Sequence, residues 1–70
     1  MQSYKTIKEA FKYGTGDVFY KKDDIFVAIS KNSDISIFDA LESDNYNLMS
    51  YDEVIKQSFK EGNDVMAASV

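Results

Sequence analysis

The segment Gly16-Asp17-Val18-Phe19-Tyr20-Lys21-Lys22-Asp23-Asp24-Ile25-Phe26-Val27-Ala28-Ile29-Ser30 constrains the fold more than any other part of the chain. Two runs of β-branched and aromatic residues, Val18-Phe19-Tyr20 and Ile25-Phe26-Val27-Ala28-Ile29, flank the charged tetrapeptide Lys21-Lys22-Asp23-Asp24. Such runs suit a pleated surface and the tetrapeptide suits a solvated turn, so the segment predicts a β-hairpin. The second run lacks polar alternation. That predicts cover on both of its faces and a central place in the sheet.

A helix is predicted on each side of this hairpin. Over 3–13, Tyr4, Ile7, Ala10 and Phe11 share a stripe, and Thr6-Ile7-Lys8-Glu9 has the form of a capping box, with Ser3 as an earlier cap. Gly14-Thr15-Gly16 ends it, with glycine expected in the left-handed conformation after the last turn. Lys31-Asn32-Ser33-Asp34 reads as a turn. Over 35–41 the alternation of Ile35 and Ile37 suggests a strand and Ser36 with Asp39 a helix start, of which a short helix over 37–42 is favoured. Ser43-Asp44-Asn45 reads as another turn, and 46–49 as a short strand with Tyr46 and Leu48 inward. Ser50-Tyr51-Asp52-Glu53 is the clearest capping box and opens a helix over 51–61 that stops at Gly62. Val65-Met66-Ala67-Ala68-Ser69-Val70 reads as a mild strand or a frayed tail.

The expected architecture is one α+β domain over 1–70, a small antiparallel sheet with two main helices packed on one face. Its expected core is Ile7, Phe11, Val18, Phe19, Ile25, Val27, Ile29, Phe38, Leu41, Leu48, Val54, Ile55 and Phe59. One internal echo stands out. Ile7–Gly14 resembles Ile55–Gly62, and each copy is soon followed by Asp-Val, which is the pattern of a helix–glycine–strand unit occurring twice.

Composition bounds the chemistry. A 70-residue chain buries only about 60% of its unfolded surface, and without cysteine no disulfide supports it. Association with another copy or a partner is the remaining common support, so a homo-oligomer is among the expectations. With neither histidine nor cysteine, zinc ligation is not expected, and no nucleophile–base pair can be assembled around a serine. Gly14-Thr15-Gly16 follows a predicted helix and precedes a strand, the reverse of a phosphate loop. Asp39, Glu42 and Asp44 miss the spacing and the glycine of an EF-hand. No catalytic residue, metal or cofactor is therefore predicted. No run approaches a membrane span and the N-terminus lacks a signal-peptide core, so a cytoplasmic protein is expected.

What remains is surface. The net charge of −4 is unevenly spread, with six acids and no base from Asp34 to Glu53. All the positive charge is lysine, which argues against sequence-specific nucleic-acid readout through arginine forks. The acidic stretch is suited to a partner with a basic surface, through Asp34, Asp39, Glu42, Asp44 and Tyr46. Tyrosine combines a large apolar body with a polar tip, which fits interfaces. A second candidate site is Tyr20 with Lys21 and Lys22, an aromatic ring beside two cations that could meet a phosphate.

The first three quarters of the chain resemble a small domain common in phage genomes, a group that includes the Thoeris anti-defence sponge proteins. The matching residues are Ala10, Gly14, Lys21-Lys22, Ile37-Phe38-Asp39-Ala40-Leu41 and Asp44-Asn45-Tyr46. Tyr46 stands where that group usually has tryptophan, no aromatic residue directly follows Lys22, and the 51–61 helix has no counterpart. The resemblance implies a non-enzymatic oligomer that sequesters a signalling nucleotide. Three expectations follow: a phage-type accessory protein that inhibits a host defence or regulatory protein by stoichiometric binding through its acidic half, a nucleotide sponge, or a structural assembly module.

Overall fold

The structure is a computed structural model, and it describes residues 2–62. In chain order the elements are α1 (Ile7–Tyr13), β1 (Val18–Lys22), β2 (Ile25–Ile29), α2 (Ile35–Ser43), β3 (Asn47–Leu48) and α3 (Tyr51–Lys60). They form an α+β domain around a three-stranded antiparallel sheet of order β2-β1-β3. The segment 65–70, read as a mild strand or a frayed tail, and the Asp64-Val65 that follows the second copy of the internal echo lie outside the described residues; the copy itself, Ile55–Gly62, falls largely in α3.

The hairpin forms with Val18 opposite Ile29 and Lys22 opposite Ile25. Lys21 and Lys22 therefore belong to the strand, and the turn is Asp23-Asp24 alone. Asp23 takes a φ of 51°. Two-residue hairpin turns need positive φ to match the twist of their strands, and aspartate tolerates it better than most residues.

β1, not β2, is the central strand. The unbroken apolar run in β2 reflects its faces rather than its edges. Phe26 and Ala28 join Ile7, Ala10, Phe19, Met49 and Val54 in one cluster, under α1 and α3. Val27 and Ile29 join Tyr20 and Leu41 in a second, under α2, with Val18, Ile37, Phe38 and Tyr46 packed alongside. Two helices thus cover one face, as the pattern predicts, and α2 covers the other.

The outer edge of β2 is bridged by Tyr4. The Tyr4 N–H donates to the Phe26 carbonyl at 2.8 Å, and the Phe26 N–H returns a bond to Tyr4 at 2.7 Å. This bridge corrects the predicted helix over 3–13. The helix starts at Ile7, where Thr6, extended at φ −133°, accepts the Glu9 N–H on its hydroxyl at 3.0 Å.

Gly14 and Gly16 are needed for close approach rather than for left-handed backbone. Gly14 is extended, at φ −70° and ψ 167°. A Cβ there would lie 2.6 Å from the Ala28 Cβ and would also overlap the Ala10 carbonyl. At Gly16 it would overlap the Ile29 carbonyl group. Small residues at 10, 14, 16 and 28 let the end of α1 press onto β2.

Three predicted core residues face outward. Phe11 is 54% exposed, Leu48 61% and Phe59 57%. Residues one step along a helix sit about 100° apart. Ile7 and Ala10 define the inner line of α1, and Val54 and Ser58 that of α3, which swings Phe11 and Phe59 aside. Phe11 still stacks on Phe19, with centroids 6.2 Å apart. Leu48 ends its strand, and the buried neighbour is Met49. The core instead gains Ala10, Tyr20, Phe26, Ala28, Met49 and Ser58. Val18, Ile25, Phe38 and Ile55 are half-buried.

α3 opens on its predicted capping box. The Ser50 N–H donates to the Glu53 carboxylate at 2.8 Å, and the Glu53 N–H donates to the Ser50 hydroxyl at 3.2 Å. It closes with Glu61 as cap and Gly62 at φ 78°.

Candidate functional site

α2 runs two residues earlier and one later than the predicted 37–42. Its far end determines where the candidate residues lie. The Asn45 N–H donates to the Glu42 carbonyl at 3.1 Å and the Tyr46 N–H to the Leu41 carbonyl at 2.9 Å. With Asn45 at φ 65°, this is a Schellman motif in which asparagine takes the place usually held by glycine. The motif's customary apolar contact is present too, since Tyr46 packs against the cluster that holds Leu41. Asparagine after an amphipathic helix is the sequence signal for this device, and it marks Asn45 as a residue that composition alone does not reveal.

The motif delivers Tyr46 to the end of β1. There Tyr20, Glu42, Asn45, Tyr46, Asn47 and Leu48 line a cleft of about 440 Å³. Lys22 reaches its rim, with Nζ 3.1 Å from a carboxylate oxygen of Asp44 and 5.5 Å from the centre of the Tyr46 ring. Two groups read as separate sites in the sequence thus converge: Glu42, Asp44 and Tyr46 from one, Tyr20 and Lys22 from the other. Asp39 precedes Glu42 by three residues, which puts it on the adjoining side of α2. Asp34 occupies the N-cap position at the opposite end, without a side-chain capping bond, about 13 Å away along a nine-residue helix.

Lys21 does not join them. Successive residues of a strand point to opposite faces, so Lys21 lies on the α3 side, where it lines a shallow depression with Met49, Glu53, Lys56, Gln57 and Lys60. Tyr20 is only 4% exposed, its ring packed near Phe38 at 6.2 Å. Tyr20, Lys21 and Lys22 therefore do not line one pocket, and the Tyr20 ring face is not open for stacking.

Burial pushes the Tyr20 hydroxyl above its ordinary pKa, and the negative charge of Glu42 adds to the rise. Glu42 and Asp44 are poorly matched to the helix itself, whereas Asp34 stands at its favourable, N-terminal end. The first turn of α2 holds no acidic residue, its last turn holds no basic one, and Glu42 and Asp44 gather at the end where the helix dipole is negative. Lys22 offsets Asp44 in part.

Among the described residues no group of acids converges closely enough to hold a metal ion, and no helix is long and apolar enough to cross a membrane. No protein-family model, curated protein or solved structure matches this chain.

A second surface lies on the opposite side of β3. Phe11, Val18, Leu48 and Tyr51 wall an apolar groove of about 550 Å³, with Phe19, Met49 and Val54 at its base. Sequence reasoning misses it because it places Phe11 and Leu48 in the core.

Proposed function

We propose that the chain is a non-catalytic accessory protein of the phage type, acting in the cytoplasm, that inhibits a host defence or regulatory protein by stoichiometric binding. The contact surface is the acidic, tyrosine-bearing end of α2: Glu42, Asp44 and Tyr46, extended by Asp39. The observation that carries this reading is the gathering of Glu42 and Asp44 at the negative end of a helix. That placement works against α2 itself, and local choices that oppose the fold concentrate at functional sites. A basic partner surface would complete the electrostatics that the helix lacks.

The test is capture from lysates of candidate hosts by the immobilised protein, compared with the double variant Asp39→Lys and Glu42→Lys. The expected outcome is one identified protein, retained at low salt, released as salt rises, and lost with the charge-reversed variant while its circular dichroism stays unchanged. Equal capture by the variant sinks the assignment.

A further inference from the structure

Leu48 sits at an unusual place in the sheet. In an antiparallel ladder, hydrogen-bonded and non-hydrogen-bonded pairs alternate. The Met49 N–H donates to the Phe19 carbonyl at 2.9 Å, so the next pair, Tyr20 with Leu48, is of the other kind. The N–H and C=O of Leu48 consequently point away from β1, toward the open edge of a sheet in which β3 is the last strand among the described residues. Natural edges are blunted by shortness, lysine, proline or a bulge, and β3, two residues long, has only the first of these. The edge Tyr46-Asn47-Leu48-Met49 carries no charge and no proline. Beside it stand Leu48, 61% exposed, Phe11, 54% exposed, and Tyr51, 75% exposed.

We propose that this edge is where a second copy of the chain docks, β3 against β3 in antiparallel fashion, making a continuous six-stranded sheet. A two-fold axis perpendicular to the sheet lets each Leu48 N–H donate to the Leu48 carbonyl of the other copy, so one open pair of backbone groups satisfies its own counterpart. The same axis sets the two α1–α3 layers side by side, with Phe11 and Tyr51 on that face, while the two Leu48 side chains, on the face of their sheet partner Tyr20, meet on the α2 side. Taking roughly 200 Å² for each full side chain, Phe11, Leu48 and Tyr51 contribute about 400 Å² per copy. That is about half of what a standard interface buries on each side, which makes the dimer a weak one, micromolar or looser. Leu48 also lines the acidic cleft, so dimerisation brings the two clefts together. Their repulsion is screened by salt.

Sedimentation velocity from micromolar to millimolar protein, at low and high salt, tests the proposal together with hydrogen exchange at the Leu48 amide. A monomer–dimer equilibrium is expected that tightens with salt, with protection at Leu48 rising as the dimer forms. Leu48→Asp sets two carboxylates opposite each other and weakens dimerisation by about tenfold or more. Tyr51→Asp, which places an acid favourably in the first turn of α3, keeps the fold and also weakens the dimer. A monomer at millimolar concentration overturns the proposal, as does a dimer indifferent to both variants. The opposite sign of the salt effect separates this surface from the acidic one, whose partner is released by salt.

Discussion

The carboxylate of Glu61 accepts the backbone N–H of Ile7 at 2.8 Å, across 54 residues of chain. Its other oxygen lies 3.4 Å from the Lys8 nitrogen. Thr6 already caps the first turn of α1, and Glu61, steadied by the Gln57 side-chain amide at 2.9 Å, serves the donors that Thr6 leaves. A carboxylate at the positive end of a helix also gains from the dipole. Glu61→Ala is expected to cost about 1–2 kcal/mol by urea denaturation, and Glu61→Gln less. An unchanged midpoint for Glu61→Ala would show that water replaces the cap at no cost.

The capping box of α3 gives the protein a dependence on acid. The backbone N–H of Ser50 and then its hydroxyl hold the Glu53 carboxyl below its ordinary pKa, with Lys21 and Lys56 assisting. A folded-state pKa below the unfolded one means stability that is present above the unfolded value and lost as pH falls through the folded one. Wild-type protein should therefore lose part of its stability in mild acid, and Glu53→Gln should lose less over the same range. Parallel pH curves for the two proteins would contradict this.

Tyr20 gives the opposite edge. Its pKa is raised, first by burial and then by Glu42. The stability it contributes is fully present below the unfolded tyrosine pKa and disappears as pH rises through the folded one. Absorbance titration at alkaline pH should show a late-ionising component, absent in Tyr20→Phe and moved earlier in Glu42→Gln. If every tyrosine ionises together while the protein is still folded, the packing around Tyr20 is not as described.

The glycines separate two kinds of cost. Gly16→Ala drives a methyl into the Ile29 carbonyl group and Gly14→Ala drives one into Ala10 and Ala28, so each should destabilise by about 3 kcal/mol, through displaced backbone. A Cβ at Gly62 would meet nothing within 4 Å, but the φ there is 78°, so Gly62→Ala should cost about 1 kcal/mol of conformational strain alone. Gly62→Asn should recover part of it, because asparagine tolerates this region. A ranking with Gly62 as the most sensitive site would refute the close-approach account.

The Lys22–Asp44 pair is half-exposed, with Lys22 at 32% and Asp44 at 66%. Lys22→Ala should change stability by no more than about 1 kcal/mol, while leaving α2 with two unopposed acids at its negative end. If the acidic surface is the binding surface, Lys22→Ala tightens capture of a basic partner, which a purely structural pair would not do.

The elements are legible in the sequence, and their mutual placement is not. Ser50 and Glu53 announce α3 because a capping box is local, and the Val18–Ile29 hairpin is visible because its turn is local too. The continuous apolar run of β2 correctly implies two covered faces, yet it says nothing about neighbours in the sheet, and β1 takes the centre. Tyr4 looks helical because it continues the stripe of Ile7 and Phe11, but bonding to Phe26 outweighs one more helical turn. Phe11 and Phe59 are large and apolar, which argues for inward positions; at Phe11 the tight seam of Ala10, Gly14 and Ala28 leaves no room for that rotation. At the candidate site, Glu42, Asp44 and Tyr46 are legible as a group because they are close in the chain. Their meeting with Tyr20 and Lys22, and the loss of Lys21 to the far face, follow from strand alternation and a helix-ending motif that only the folded chain joins.

The distribution of contacts along the chain also orders events in time. The β1–β2 pairing closes across two residues, on the microsecond scale of hairpins, whereas the bond between Glu61 and Ile7 must wait until nearly the whole chain has been gathered. The seam between α1 and α3 is therefore expected to close late in folding. In a kinetic comparison, Glu61→Ala should speed unfolding and leave the folding rate almost untouched, while changes at the Asp23-Asp24 turn should act on folding itself.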